Sequence, residues 1–169
     1  MTEEPKRPLL VFLSGVKKDK LEMVEPLSKI ADKVLVGGRL PDYMGDDALE
    51  SVRLQGDDAK IIVGNLNLDK EDITLNTIDR FSKEALKAGT IVLAGVFGKY
   101  EDEGHRQGTE KVFAAIANSQ AFKVVGGGDS LNAIKMFSLE NKFNWISVGG
   151  GAMISFLINK TLPGIEALT

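Results

Sequence analysis

Apolar and β-branched residues fall in short unbroken runs, at residues 9–14, 33–36, 60–63, 90–93, 122–125 and 145–147, and most of these runs are followed at once by glycine. Stretches such as Leu9-Leu10-Val11-Phe12-Leu13 and Ile61-Ile62-Val63 show no polar alternation. That predicts strands buried on both faces, the habit of a parallel sheet covered by helices.

Between the runs lie segments of helical period, at residues 18–30, 46–54, 75–88, 109–117, 130–137 and 152–160. Ile78, Phe81, Ala85 and Leu86 are spaced to share one face, while Asp79, Arg80, Lys83 and Lys87 face water. Val112, Phe113 and Ile116 repeat the pattern, and Gly89 stands where a left-handed helix cap is expected. Pro26 removes a backbone donor inside residues 18–30 and should kink or split that helix. Strand–helix alternation with short connections and right-handed crossovers predicts a three-layer, doubly wound (Rossmann-like) α/β domain. Its parallel sheet would have six strands in the order 3-2-1-4-5-6. The stretch from Gly38 to Asp58, with Pro41, Gly45, Gly56 and five aspartates, reads as a partly loop-like excursion.

Length and charge narrow the function classes. A chain of 169 residues, 43% hydrophobic, suits one domain with a sizeable core. A net charge of -3 gives no electropositive footprint for a nucleic-acid backbone. With no cysteine, the sequence offers no disulfide, thiolate nucleophile or cysteine metal site, and it suits a reducing, cytoplasmic setting. The polar first residues do not resemble a secretory signal, and no apolar run approaches a membrane span, so no membrane partner is expected.

The candidate chemistry lies in three glycine-rich stretches, each after a predicted strand and before a predicted helix. They are Ser14-Gly15-Val16-Lys17, Gly126-Gly127-Gly128-Asp129-Ser130 and Ser147-Val148-Gly149-Gly150-Gly151-Ala152. Without a Cβ, backbone N–H groups can approach a phosphate, and the following helix adds unpaired donors and a partial charge of about +0.5. All such loops share one edge of a parallel sheet and so can converge on one ligand. A tight turn is the plainer role for each. Neither a Gly-x-Gly-x-x-Gly fingerprint nor a Walker loop is present: Leu131 stands where the former needs its third glycine, and Gly98-Lys99 is followed by Tyr100. A dinucleotide oxidoreductase and an ordinary P-loop enzyme are therefore disfavoured.

Asp129 fits two roles: a helix N-cap shared with Ser130, or a carboxylate holding Mg²⁺ beside phosphates. Lys17 and Lys20, three apart at a helix start, would lie on one side of it and reach the same phosphates, or simply be solvated. His105 lacks a partner at triad or metal-ligand spacing and reads as an exposed loop residue, while Trp145 reads as core.

Taken in order, the motifs resemble the carboxyl-terminal, nucleotide-binding half of phosphoglycerate kinase. They are Lys6-Arg7-Pro8-Leu9, Asp32-Lys33-Val34-Leu35-Val36-Gly37-Gly38, the Gly95-x-x-Gly98-x-x-Glu101 segment, Val125 through Ser130, Gly149-Gly150-Gly151-Ala152 and Leu162-Pro163-Gly164-Ile165-Glu166-Ala167-Leu168. The resemblance implies ADP/ATP and Mg²⁺ as ligands, and phosphoryl transfer between 1,3-bisphosphoglycerate and ADP in the complete enzyme. It implies that Lys17 and Lys20 neutralise phosphates, Asp129 holds Mg²⁺, Glu101 binds the ribose and Gly37 and Gly38 border the adenosine. Gly126, Gly127, Gly128 and Ser130 would cradle the nucleotide, and Gly149, Gly150 and Gly151 would present a helix N-terminus to the moving phosphoryl group.

Several positions depart from the family pattern. Trp-Asn-Gly-Pro becomes Leu93-Ala94-Gly95-Val96, a valine becomes Lys99, and His-Ile-Ser-Thr becomes Trp145-Ile146-Ser147-Val148. One residue fewer separates Lys17 from Lys20, a rotation of about 100° on a helix. The region between Gly38 and Ile73 is also short. Residues 1–169 read as one nucleotide-binding domain, with the acceptor site expected on an amino-terminal phosphoglycerate-binding domain or a partner chain, so that this chain alone is expected to be inactive. The competing reading is a non-catalytic binding or interaction module that kept the fold and lost the nucleotide chemistry.

Overall fold

The computed structural model describes residues 4–45 and 55–160. The predicted helix at 46–54 and the closing motif at 162–168 lie outside the described residues. Six strands, β1 (Leu9–Leu13), β2 (Lys33–Val36), β3 (Ile61–Val63), β4 (Thr90–Ala94), β5 (Phe122–Gly126) and β6 (Trp145–Ser147), form one sheet. Their order is β3-β2-β1-β4-β5-β6, every pairing is parallel, and the chain reverses its winding direction between β1 and β4.

Helices cover both faces, as the unalternated strands require. On one face α2 (Leu75–Lys87), α3 (Gln107–Asn118) and α4 (Gly128–Met136) bury Phe81, Phe113 and Ile134 against Leu10, Phe12, Ile91 and Val125. On the other, α1 (Val24–Ile30) and α5 (Gly150–Asn159) bury Leu27 and Ile154 against Val11, Val34 and Val92. Phe12, Phe81, Phe97 and Phe113 meet edge to face, with ring centroids 5.7–6.0 Å apart. Each such contact contributes about 0.5–1.5 kcal/mol beyond area burial. Phe97 lies in the loop after β4, so this cluster anchors a rim loop to the core.

Local chemistry changes several expectations. The segment 18–30 is split into a 3₁₀ turn, Lys18–Met23, and α1. Pro26 occupies the third position of α1, where a missing N–H breaks no intrahelical bond. Gly89 is not a left-handed cap. α2 ends through Ala88 in extended backbone, and a Cβ on Gly89 would meet the Arg7 carbonyl at 2.5 Å. Its role is close approach to the strand leading into β1. Leu86 is 58% exposed because it stands at the margin of the buried stripe. Trp145 is not core either, at 63% exposed: β6 is an edge strand, and its Ile146 is exposed as well.

At the carboxyl edge the loops touch through backbone. Gly95 has φ +108°, and any Cβ there would strike the Ser14 carbonyl. Gly38 has φ +62°, and a Cβ would lie 2.6 Å from the Gly15 nitrogen. Gly95→Ala is therefore predicted to destabilise the fold by about 2–5 kcal/mol, combining left-handed strain with overpacking. Gly128→Ala, with nothing within 4 Å of its Cβ, should stay within about 0.5 kcal/mol of the parent. Urea unfolding compares the two, and equal midpoints would refute the close-contact argument.

Candidate functional site

The loops leaving β1, β2, β4 and β5, with the segment after β3, enclose an open groove of about 290 Å³. Gly15, Val16, Gly38, Arg39, Val96 and Phe97 line it from strand ends, Lys70 and Glu71 from the loop after β3, and Lys99, Tyr100, Glu101 and Asp129 complete the wall. A sequence of close approaches, Gly38 to Gly15, Gly95 to Ser14, and Gly150 to Gly127, joins the loops along the rim.

The predicted residues are not all placed alike. Gly38, Glu101 and Asp129 line the groove. Lys20 is half-buried, and its Nζ donates to the Ser14 carbonyl at 2.7 Å. Burial pushes its ammonium below the usual lysine range, while the nearby Asp129 carboxylate pulls it back up. Lys17 is exposed in extended backbone before the 3₁₀ turn, so it does not share a helix face with Lys20 as expected. Gly37 is buried instead, its α-hydrogen facing Phe97 and Phe81, which leave no room for a Cβ.

Gly127, at φ +106°, is the N-cap of α4, so Asp129 and Ser130 fall in the first helical turn and do not cap it. The Ser130 hydroxyl is buried and accepts from the Gly95 N–H at 2.9 Å, tying the β5 loop to the β4 loop. First-turn N–H groups of α4 lack an acceptor within the helix. Gly126 and Gly127 lie alongside Gly150, the first residue of α5, while Gly149 and Gly151 are exposed and none of the three lines the groove. The glycine loops thus share one rim, with Asp129 turned into the groove beside Lys20.

Several residues on this rim gave no signal in the sequence reading. Thr109, buried at the start of α3, accepts from the N–H groups of Phe97 and Gly98 at 3.1 and 3.2 Å. Asp72 is 2% exposed and accepts from Ile73 N–H at 2.8 Å and Gly108 N–H at 3.0 Å. Burial pushes its carboxyl above the usual range, with those two backbone donors opposing. The Lys99 N–H donates to the Glu71 carbonyl at 2.9 Å, joining the groove's two long walls. Burial likewise raises the Tyr100 phenol, with the Glu101 charge adding to the effect.

His105 is not a free loop residue. Its Nδ1 lies 2.9 Å from Asp102 and its Nε2 2.7 Å from Asp69. The first carboxylate belongs to the loop carrying Lys99, Tyr100 and Glu101, and the second to the loop carrying Lys70 and Glu71. With a carboxylate at each nitrogen, the ring satisfies both only as imidazolium, which has two donors. The bonds to Asp69 and then Asp102 raise its pKa above 6.5.

A family model described as phosphoglycerate kinase matches residues 49–160. The phosphoglycerate kinase of Mycoplasmoides gallisepticum is 30% identical over 215 residues, covering 99% of this chain and 52% of that protein. That of Haemophilus influenzae is 34% identical over 203 residues, covering 98% and 53%. Those alignments are longer than the 169 residues of the chain, so the relatives carry insertions relative to it. Among solved structures, phosphoglycerate kinase from Coxiella burnetii superposes with a TM-score of 0.79 at 28% identity over 99% of this chain and 54% of that one. The enzyme from Pyrococcus horikoshii OT3 gives 0.73 at 28% identity over 99% and 52%. The chain spans about half the length of the curated relatives it matches.

The carboxylate–imidazole–carboxylate contact sets a pH dependence. A raised folded pKa means that its stabilisation is complete below about pH 6.5 and is lost as pH climbs through the raised value. His105 is the chain's one histidine. Stability should therefore fall across that window in the parent and stay flat there in His105→Gln. Urea midpoints measured from pH 6 to pH 9 check this, and an unchanged slope in the variant would contradict it.

Proposed function

The chain belongs to the phosphoglycerate kinase family, matching its carboxyl-terminal half, and from that premise we propose that residues 1–169 are one nucleotide-binding domain holding Mg-ADP or Mg-ATP along the carboxyl rim of the sheet. The observation carrying this reading is that Asp129, at the start of α4, lines the same groove as Gly38 and Glu101, with the Lys20 ammonium close enough to feel its charge.

The donor set fits a nucleotide-bound magnesium. Asp129 is one exposed carboxylate turned into the groove, and no group of three or more metal-ligating side chains is found among the described residues. Mg²⁺ commonly takes one or two carboxylates and fills its remaining positions with water and phosphate oxygens. When bound, the ion neutralises charge on the phosphates. First-turn amides of α4 and the Lys20 ammonium hold the phosphate oxygens, and Lys17 adds a solvent-exposed charge. Glu101 accepts from ribose hydroxyls, with Gly37 and Gly38 forming the backbone border of the adenosine. The N-terminus of α5, at Gly149, Gly150 and Gly151, faces the phosphoryl group in transit. Chemistry of this kind depends on positioning and charge stabilisation more than on a covalent partner.

In the complete enzyme the reaction is phosphoryl transfer between 1,3-bisphosphoglycerate and ADP, a glycolytic step. The acceptor site comes from an amino-terminal phosphoglycerate-binding domain or a partner chain, and a cytoplasmic place of action goes with that role. Among the described residues no helix is long and apolar enough to cross a membrane. The second reading, a non-catalytic module, is favoured by two features: Val96 puts an apolar side chain into the groove, and the Ser130 hydroxyl is engaged by backbone.

Calorimetric titration with Mg-ADP separates the readings. The expected result is saturable binding that weakens about tenfold or more in Asp129→Ala and in Lys20→Ala, the loss for a charge-assisted contact. Lys17→Ala, an exposed charge, should weaken binding only a few-fold. No binding by the parent chain would leave the non-catalytic module standing.

A further inference from the structure

Each long wall of the groove carries the same kind of turn. In the loop after β3, Asp69 Oδ1 accepts from the Glu71 N–H at 3.0 Å. Lys70, between them, sits in left-handed backbone at φ +61°, a conformation that a lysine enters only at a cost. In the loop after β4, Asp102 Oδ1 accepts from the Gly104 N–H at 3.1 Å. Each carboxylate thus spends one oxygen on shaping its own turn and has the other, Oδ2, on the His105 ring, at 2.7 Å for Asp69 and 2.9 Å for Asp102. The adjacent Arg106 donates to the carbonyls of Tyr100 and Glu101 at 2.8 and 3.2 Å, so the ring is tied to the stretch that carries Glu101.

An imidazolium offers one N–H to each carboxylate, whereas a neutral imidazole turns a lone pair on one of them. Losing the proton therefore replaces an attraction with a repulsion at one wall and loosens the turn there. The ring is 23% exposed, so water can exchange its proton. Further charges lie near the bridge: Asp72 feels the charge of the ring, Lys99 acts on Asp102, Glu103 and Arg106 flank the ring in the chain, and Lys70 and Glu71 follow Asp69. We propose that His105 is a positioning residue for the groove, a proton-dependent latch that draws the wall bearing Lys70 and Glu71 onto the wall bearing Lys99 and Glu101 and so tunes nucleotide affinity. This rests on the nucleotide reading above and adds the regulation of that site. Its sign follows from which form closes the latch: affinity is highest with the ring protonated and falls as pH rises through its titration.

The test uses the full chain, with Mg-ADP and with Mg-pyrophosphate, which has phosphates but no nucleoside. From pH 7 to pH 9, where the diphosphate is already ionised, parent affinity for Mg-ADP should fall about threefold more than that of His105→Gln or Asp69→Asn. Lys20 is unchanged in both variants, so its own titration cancels from the comparison. Mg-pyrophosphate, which does not reach the Glu101 wall, should show no such difference. Because the chain has one histidine, its ring resonance is unambiguous, and saturating Mg-ADP should raise the His105 pKa by about half a unit, the same coupling read from the other side. Equal pH slopes in the parent and both variants, or a His105 titration unmoved by Mg-ADP, would overturn the proposal. Binding of neither probe by the parent would end the nucleotide reading instead. The latch would then stand on amide exchange at Lys99, whose N–H bonds the Glu71 carbonyl: its protection should drop across the His105 titration in the parent and not in His105→Gln, and equal protection in the two would overturn the latch by itself.

Discussion

Backbone packed against backbone at the carboxyl edge of the sheet governs what this molecule can do. The loop after β4 lies on the loop after β1 because Gly95 has no side chain to hold it off the Ser14 carbonyl. The turn after β2 lies on Gly15 for the same reason, and Gly150 approaches Gly127. Hydroxyls then lock the arrangement: Ser14 donates to the Val96 carbonyl at 2.6 Å, and Ser130 accepts from Gly95. Parallel strands send every such loop to one edge, so groups from four strand ends line one groove.

The groove wall is braced from beneath and from outside. Phe97 carries the edge-to-face aromatic cluster up into the loop after β4. Thr109 holds the N–H groups of Phe97 and Gly98, and Asp72 holds the start of α3. His105 closes the outer side by bridging Asp69 and Asp102. The two carboxylates that raise the His105 pKa above 6.5 make this outer bridge pH-sensitive, whereas the aromatic cluster and Thr109 do not titrate.

The architecture was legible because it follows from patterns with a single period. Unalternated runs such as residues 9–13 have one stable home, the middle of a covered parallel sheet, and Phe81 and Ala85 sit where helical spacing put them. The strand order followed from short connections and crossover handedness. Trp145 misled because hydrophobicity does not reveal that a strand is at an edge. Gly89 misled because a close approach to Arg7 and a left-handed cap leave the same mark in a sequence.

The site was legible only in part, since its glycines and Asp129 follow strands directly, whereas His105 and Asp72 depend on contacts across long sequence separations. The Asp69-Lys70-Glu71-Asp72 run reads as a solvated loop until folding buries the last carboxylate against Gly98 and Gly108. No spacing rule joins His105 to Asp69, 36 residues away.

The central claim is that strand-end loops jointly hold a magnesium nucleotide on one rim. A crystal structure with ADP and Mn²⁺, whose anomalous scattering marks the metal, tests it most directly. The account predicts a metal peak at the Asp129 carboxylate, the diphosphate against the first turn of α4, and the base toward Gly38. Ordered ADP bound away from this rim, or a metal peak remote from Asp129, would contradict it.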